Sequence, residues 1–233
     1  MADFANAVVY YVVFLLSTTL HEAAHAWAAL RGGDLTAYHG GQVSLNPIPH
    51  IKREPIGMVV LPLVTVFITG WPFGFASAPY SIDWARRYPT RAAWMALAGP
   101  ASNLLLVLLA GLAIRAGVMA GIVSAPQSLS FGEIAEASST GLWTGAYHFI
   151  GVLFSLNLVL GIFNLLPVPP LDGSGALPLF LSPAATRRYQ EFIWGTPGLS
   201  FLGIFVAWKL IDGVFQPLWV AAIQLLYPGV SYH

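Results

Sequence analysis

Five residues, His21-Glu22-Ala23-Ala24-His25, sit inside an apolar run long enough to cross a membrane. On a helix, imidazoles at i and i+4 share one face and can hold one metal ion between them. The intervening Glu22 is then placed to take a proton from a water at that metal. Val8 to Leu20 is apolar or hydroxylic throughout, and Ala26 to Leu30 continues the run. Ionisable groups at membrane depth are costly, so a glutamate and two histidines there point to function. The plainer alternative is a polar cluster packed against neighbouring helices.

The chain is 57% hydrophobic and 9% charged, against about 25% charged in an ordinary soluble domain. An integral, multi-pass membrane protein follows, with the lipid bilayer as its surroundings. Its 8 Trp and 9 Tyr suit anchoring at the membrane interfaces. Formal net charge is zero, so nothing favours nucleic acid as a partner. With no cysteine, a metal site must be built from His, Asp and Glu. The N-terminal run lacks a basic leader and ends in the histidine motif, so it reads as a retained span rather than a signal peptide.

Three spans are expected, over about 6–30, 92–114 and 145–166, with a final apolar segment over 199–226. Residues 35–55 hold Gly40-Gly41 and Asn46-Pro47 and read as a small β-hairpin or turn-rich segment. Residues 56–79 are apolar but carry five breakers, Gly57, Pro62, Gly70, Pro72 and Gly74. Basic residues decide how that segment runs, because basic loops stay on the cytoplasmic side. If 56–79 crosses fully, the basic loop residues divide four against five. If it dips in and returns, Arg31, Lys52, Arg53, Arg86, Arg87, Arg91, Arg187 and Arg188 share one side and only Arg115 opposes them. A re-entrant segment is therefore expected, with the N-terminus outside and the histidine motif toward the cytoplasmic half.

A hydrolytic zinc site takes three protein ligands and leaves one position open. Candidates for the third are Asp34, His39, His50, Asp83, His148, Asp172 and Asp212. Asp172 is best placed, since it follows the third span at the same end of the bundle as the histidines. Pro167, Pro169 and Pro170 cannot continue a helix, so the backbone before Asp172 extends and can turn it inward. Read alone, Asp172-Gly173 could equally be an interfacial turn.

With these elements in place, the sequence resembles the site-2 protease family of intramembrane zinc metalloproteases. The matching residues are His21-Glu22-x-x-His25, Ala98-Gly99-Pro100-Ala101-Ser102-Asn103, and Asn164-x-x-Pro167 leading to Leu171-Asp172-Gly173. The resemblance covers about residues 6–175. It implies one Zn²⁺ held by His21, His25 and Asp172, with Glu22 as catalytic base. It also places Asn164 near the active site and Asn103 on the neighbouring helix, both as candidates for positioning substrate. Asn46-Pro47, Phe73-Gly74 and Ala78-Pro79 look like the compact subgroup without PDZ or cystathionine-β-synthase domains.

The expectation is an all-α polytopic membrane protein forming a single domain over 1–233. It comprises a three-helix catalytic core, a re-entrant or additional span, a C-terminal helical segment and a small β-hairpin. Its expected activity is hydrolysis of peptide bonds within or near transmembrane helices of membrane-protein substrates, in a prokaryotic cell membrane. The alternative is a non-proteolytic metal-binding membrane protein or transporter.

Overall fold

The structure, a computed structural model, describes residues 4–230 and Tyr232, apart from the side chain of Asp212. In chain order its helices are α1 (Phe4–Gly32), α2 (Thr36–His39), α3 (Pro47–Arg53), α4 (Leu61–Thr69) and α5 (Ile82–Arg87). They continue with α6 (Pro89–Met119), α7 (Leu142–Leu165), α8 (Asp172–Ala176), α9 (Pro183–Gly195) and α10 (Leu199–Leu226). Three of them, α1, α6 and α7, are long and apolar enough to cross a membrane. Half of the most apolar stretch of α7 is buried, against a third for α6, so α7 is the more enclosed of the two. The exposed face of α6 carries Leu104, Leu105, Leu108, Leu109 and Leu112, as a lipid-facing helix should.

Each span ends where its sequence stops supplying helix. Gly33 adopts φ +95° after α1, a conformation that costs glycine little. The proline run 167–170 closes α7. α10 spans 28 residues, and its last turn is held by Arg115, whose guanidinium donates to the Leu226 carbonyl at 2.8 Å. That bond ties the end of α10 to the far end of α6. An apolar core lies there, where Ile114, Phe154, Trp219 and Ile223 pack together. Trp219 Nε1 donates to Ser155 Oγ within it, at 2.9 Å.

The segment after α3 enters the bundle and returns. A π-helical turn over Ile56–Val60 runs into α4. The combined 14 residues (Ile56–Thr69) reach only about 21 Å at 1.5 Å per residue, short of the ~30 Å hydrocarbon core. Gly70, at φ +76°, reverses the chain, and the residues from Pro72 onward come back without regular secondary structure. The returning segment meets its own point of entry. Phe75 N donates to Gly57 O at 3.1 Å, Ser77 Oγ donates to Glu54 Oε1 at 2.6 Å, and Arg53 Nε donates to Ser77 Oγ at 3.2 Å. Entry and exit therefore share one end of the molecule, the end that also holds the C-terminus of α1 and the N-terminus of α6.

The β-structure lies elsewhere than the sequence indicated. Residues 35–55 form two short helices joined by bends. Asp34 Oδ1 accepts from Thr36 N and Oγ1 at the start of α2, and Asn46 Oδ1 accepts from Ile48 N as the cap of α3, with Pro47 in first position. The antiparallel pair is instead β1 (Val123–Ser124) with β2 (Glu136–Ala137), in the loop between α6 and α7.

The return of residues 56–79 fixes an experimental outcome. Single cysteines at positions 52 and 87 in the otherwise cysteine-free chain should respond alike to a membrane-impermeant thiol reagent in intact cells. Labelling of one with protection of the other would mean that the segment crosses.

Candidate metal centre

Helix α1 places His21 and His25 one turn apart, both buried, with ring centroids 4.6 Å apart and nearly perpendicular. Asp172 opens α8, just after the proline-rich turn, and its carboxylate reaches both rings. Oδ2 lies 3.1 Å from His21 Nε2, Oδ1 lies 3.3 Å from His25 Nε2, and the two Nε2 atoms are 2.9 Å apart. Among the described residues these three side chains form the one cluster of His and carboxylate donors close enough to share a metal ion.

The outer nitrogens of the rings are fixed by partners on α6. His25 Nδ1 lies 2.7 Å from the Met95 carbonyl, which can only accept, so Nδ1 carries the proton. His21 Nδ1 lies 2.6 Å from Asn103 Oδ1. A chain of amides establishes that orientation. Asn157 Nδ2 donates to the Leu153 carbonyl at 2.8 Å and to Ser17 Oγ at 2.9 Å, which turns Asn157 Oδ1 toward Asn103. Asn103 Nδ2 donates to that oxygen at 2.8 Å, leaving its own Oδ1 to accept from His21. Both imidazoles in their neutral form thus direct an unprotonated Nε2 inward.

These groups fit a zinc ion. Two nitrogen lone pairs and a carboxylate that converge in a low-dielectric interior repel one another unless a cation lies between them. Asp172 Oδ2 is buried and accepts no hydrogen bond. Ligands about 2.0–2.1 Å from a tetrahedral ion sit about 3.3 Å apart, close to the separations found here. Gly99 is a further condition of the arrangement. A Cβ at this position would collide with the Nε2 atoms of both histidines, so only glycine lets α6 pass behind them.

The profile of Peptidase family M50 matches residues 9–202. The chain belongs to that family. It is 31% identical over 225 residues to YwhC of Bacillus subtilis, by name a zinc metalloprotease, covering 89% of this chain and 92% of that protein. It is 34% identical over 175 residues to Rip2 of Mycolicibacterium smegmatis and 32% identical over 174 residues to Rip2 of Mycobacterium tuberculosis, both also named as zinc metalloproteases. Each of these last two matches covers 75% of this chain and 58% of the relative. No solved structure gives a significant match.

Within this M50 chain, the other candidate ligands lie apart from the cluster. Asp34 bonds to the start of α2 and accepts from Ser81 N at 2.8 Å. His50 donates from Nε2 to the Ser44 carbonyl, His39 and Asp83 are exposed, and His148 packs edge-on to Tyr10. The side chain of Asp212 lies outside the described residues. Glu22 is buried in the turn between the two histidines. Asn103 is fully buried, with both ends of its amide engaged. Asn164 is half-buried and donates from Nδ2 to Leu160 O at 3.0 Å.

Sequence reasoning missed Asn157, Ser17 and the Met95 carbonyl. A backbone carbonyl leaves no trace in a sequence. Asn157 did leave one, since a buried amide in the middle of an apolar span needs a partner. Replacing Asn157 by Leu should lower zinc affinity about 10–100-fold while the helical content stays intact, because Asn103 is then free to turn away from His21. Wild-type zinc affinity in that variant would contradict the amide chain.

Proposed function

We propose that the chain is an intramembrane zinc metalloprotease that cleaves transmembrane-helix substrates, with His21, His25 and Asp172 holding the metal and Glu22 acting as base. The observation that carries this reading is the convergence of two inward-facing imidazole nitrogens and a buried carboxylate beside Glu22, within a span of an M50 protein. Family membership favours hydrolysis over the metal-carrier alternative.

When bound, zinc supplies a Lewis acid that polarises the scissile carbonyl and makes water more acidic. The protein's own groups do the rest. Glu22 takes the proton of the attacking water and passes it to the leaving amine. Three ligands leave one position open for substrate and water. Asn103 acts as a positioning residue through His21, and Asn164 Oδ1 is available to hold substrate backbone.

A transmembrane substrate helix has its backbone amides already paired, so it must unwind before it can be cut. A cleft of about 330 Å³ runs along the histidine helix between Ala23, Ala24 and Trp27 on one wall and Val43, Ser44 and Leu45 on the other. Residues 42–45 form a bend rather than a paired strand, and an unwound peptide can lie beside them. The cluster of basic residues at this end supports a cytoplasmic location for it, with the N-terminus outside. The single domain over 1–233 is part of the same proposal.

Glu22→Gln should retain zinc and lose hydrolysis by about 10²–10⁴-fold or more. Asp172→Ala should lose both zinc and cleavage. The measurement is zinc content per chain alongside cleavage of a reporter transmembrane segment. Wild-type cleavage by Glu22→Gln, or full zinc retention with normal activity in Asp172→Ala, would overturn the assignment.

A further inference from the structure

A second cleft, of about 430 Å³, lies on the outer surface between the C-terminal end of α1 and the N-terminal end of α6. It is lined by Arg31 and Arg91 at the helix ends, by Trp27 and Trp94 one turn in, and by Leu97 and Ala101 further along α6. No acidic residue lines it, and among the described residues neither arginine forms an ion pair with a carboxylate. Arg31 rests over the Trp27 ring, 5.7 Å from its centroid, and donates no hydrogen bond to the protein among the described residues. Arg91 stacks 4.5 Å from the Tyr88 ring and donates one hydrogen bond, from one Nη to the Gly32 carbonyl at 3.1 Å. Each guanidinium has five N–H donors, so most remain unused.

The order of these groups along the helices is the order of a phospholipid. Trp27 and Trp94 are exposed by 56% and 61%, the placement of an aromatic belt at the membrane interface. The two arginines sit one turn further out, at headgroup level. Below Arg91, at 1.5 Å per residue, Leu97 lies about 9 Å and Ala101 about 15 Å deeper. That depth is about half of a ~30 Å hydrocarbon core. A basic pocket between transmembrane helices with an apolar floor is suited to an anionic lipid.

We propose that this cleft binds one anionic phospholipid, its phosphate between Arg31 and Arg91 and an acyl chain along Leu97 and Ala101. The bound lipid spans the seam between α1 and α6. That seam matters because α1 carries the histidines and α6 carries the Met95 carbonyl and Asn103 that orient them.

The test uses the full chain purified in detergent, with lipid retention read by native mass spectrometry. The probes are phosphatidylglycerol, phosphatidylcholine of the same chains, and inorganic phosphate. One phosphatidylglycerol should remain bound under conditions that strip phosphatidylcholine. Arg31→Gln and Arg91→Gln should each weaken that retention about fivefold. Arg31→Gln removes no hydrogen bond seen in the fold, and an unchanged zinc content will confirm that the variant is folded. Arg187→Gln, a change on the exposed face of α9, should leave retention as in the wild type. Equal retention of the two lipids would overturn the proposal. So would a loss with Arg187→Gln as large as that with Arg31→Gln, because the attraction would then be diffuse. Displacement of phosphatidylglycerol by inorganic phosphate at similar concentration would assign the arginines to a free anion instead.

Discussion

Two imidazole nitrogens and a carboxylate, their facing atoms about 3 Å apart and without a proton to share, repel one another in a buried site. Much of the surrounding structure serves to hold them together. The helical repeat of α1 puts both rings on one face. Gly99 lets α6 pass close behind them, and the prolines after α7 release Asp172 from the helix so that it can turn back. The rings are kept from rotating by bonds that end on two main-chain carbonyls, Met95 O directly and Leu153 O through Asn157 and Asn103. A cation turns this repulsion into binding, so an arrangement that is unfavourable alone becomes a site selective for a metal.

The surroundings divide the labour between access and enclosure. The entering and returning segment closes one side through the bonds of Glu54, Ser77 and Phe75, and the bend at 42–45 leaves a cleft over Ala23 and Ala24. On the same end, α9 docks onto α5. Gln190 donates to the Ala85 carbonyl and Arg86 stacks 5.4 Å from the Trp194 ring. Polar contacts concentrate at this end of the bundle, while the opposite end is held mainly by apolar packing around Trp219 and Ile223.

Much of this was legible in the sequence because a membrane imposes simple rules. The three spans and the limits of α10 follow from runs of apolar residues, and the return of 56–79 follows from its breakers and from the grouping of Arg86, Arg87 and Arg91 with Lys52 and Arg53 that a return allows. Asp172 emerged from the proline run that precedes it. The segment 35–55 misled because Gly40-Gly41 resembles a hairpin turn, although Asn46-Pro47 is equally the start signature of a helix, and here it caps α3. The short helices α5, α8 and α9 depend on tertiary support more than on periodicity. Asn157 was passed over because its role exists only through Asn103 and Ser17, from two other helices, and no spacing along one chain records such a contact.

The central claim is that the metal is held by two histidines on α1 and one carboxylate after α7. X-ray absorption at the zinc edge of the purified protein reads that directly. The account predicts two imidazole nitrogens and additional oxygen scatterers at about 2.0–2.2 Å, with the wild-type zinc signal lost in Asp172→Ala. A first shell with three or more imidazoles, or one unchanged by Asp172→Ala, would contradict it.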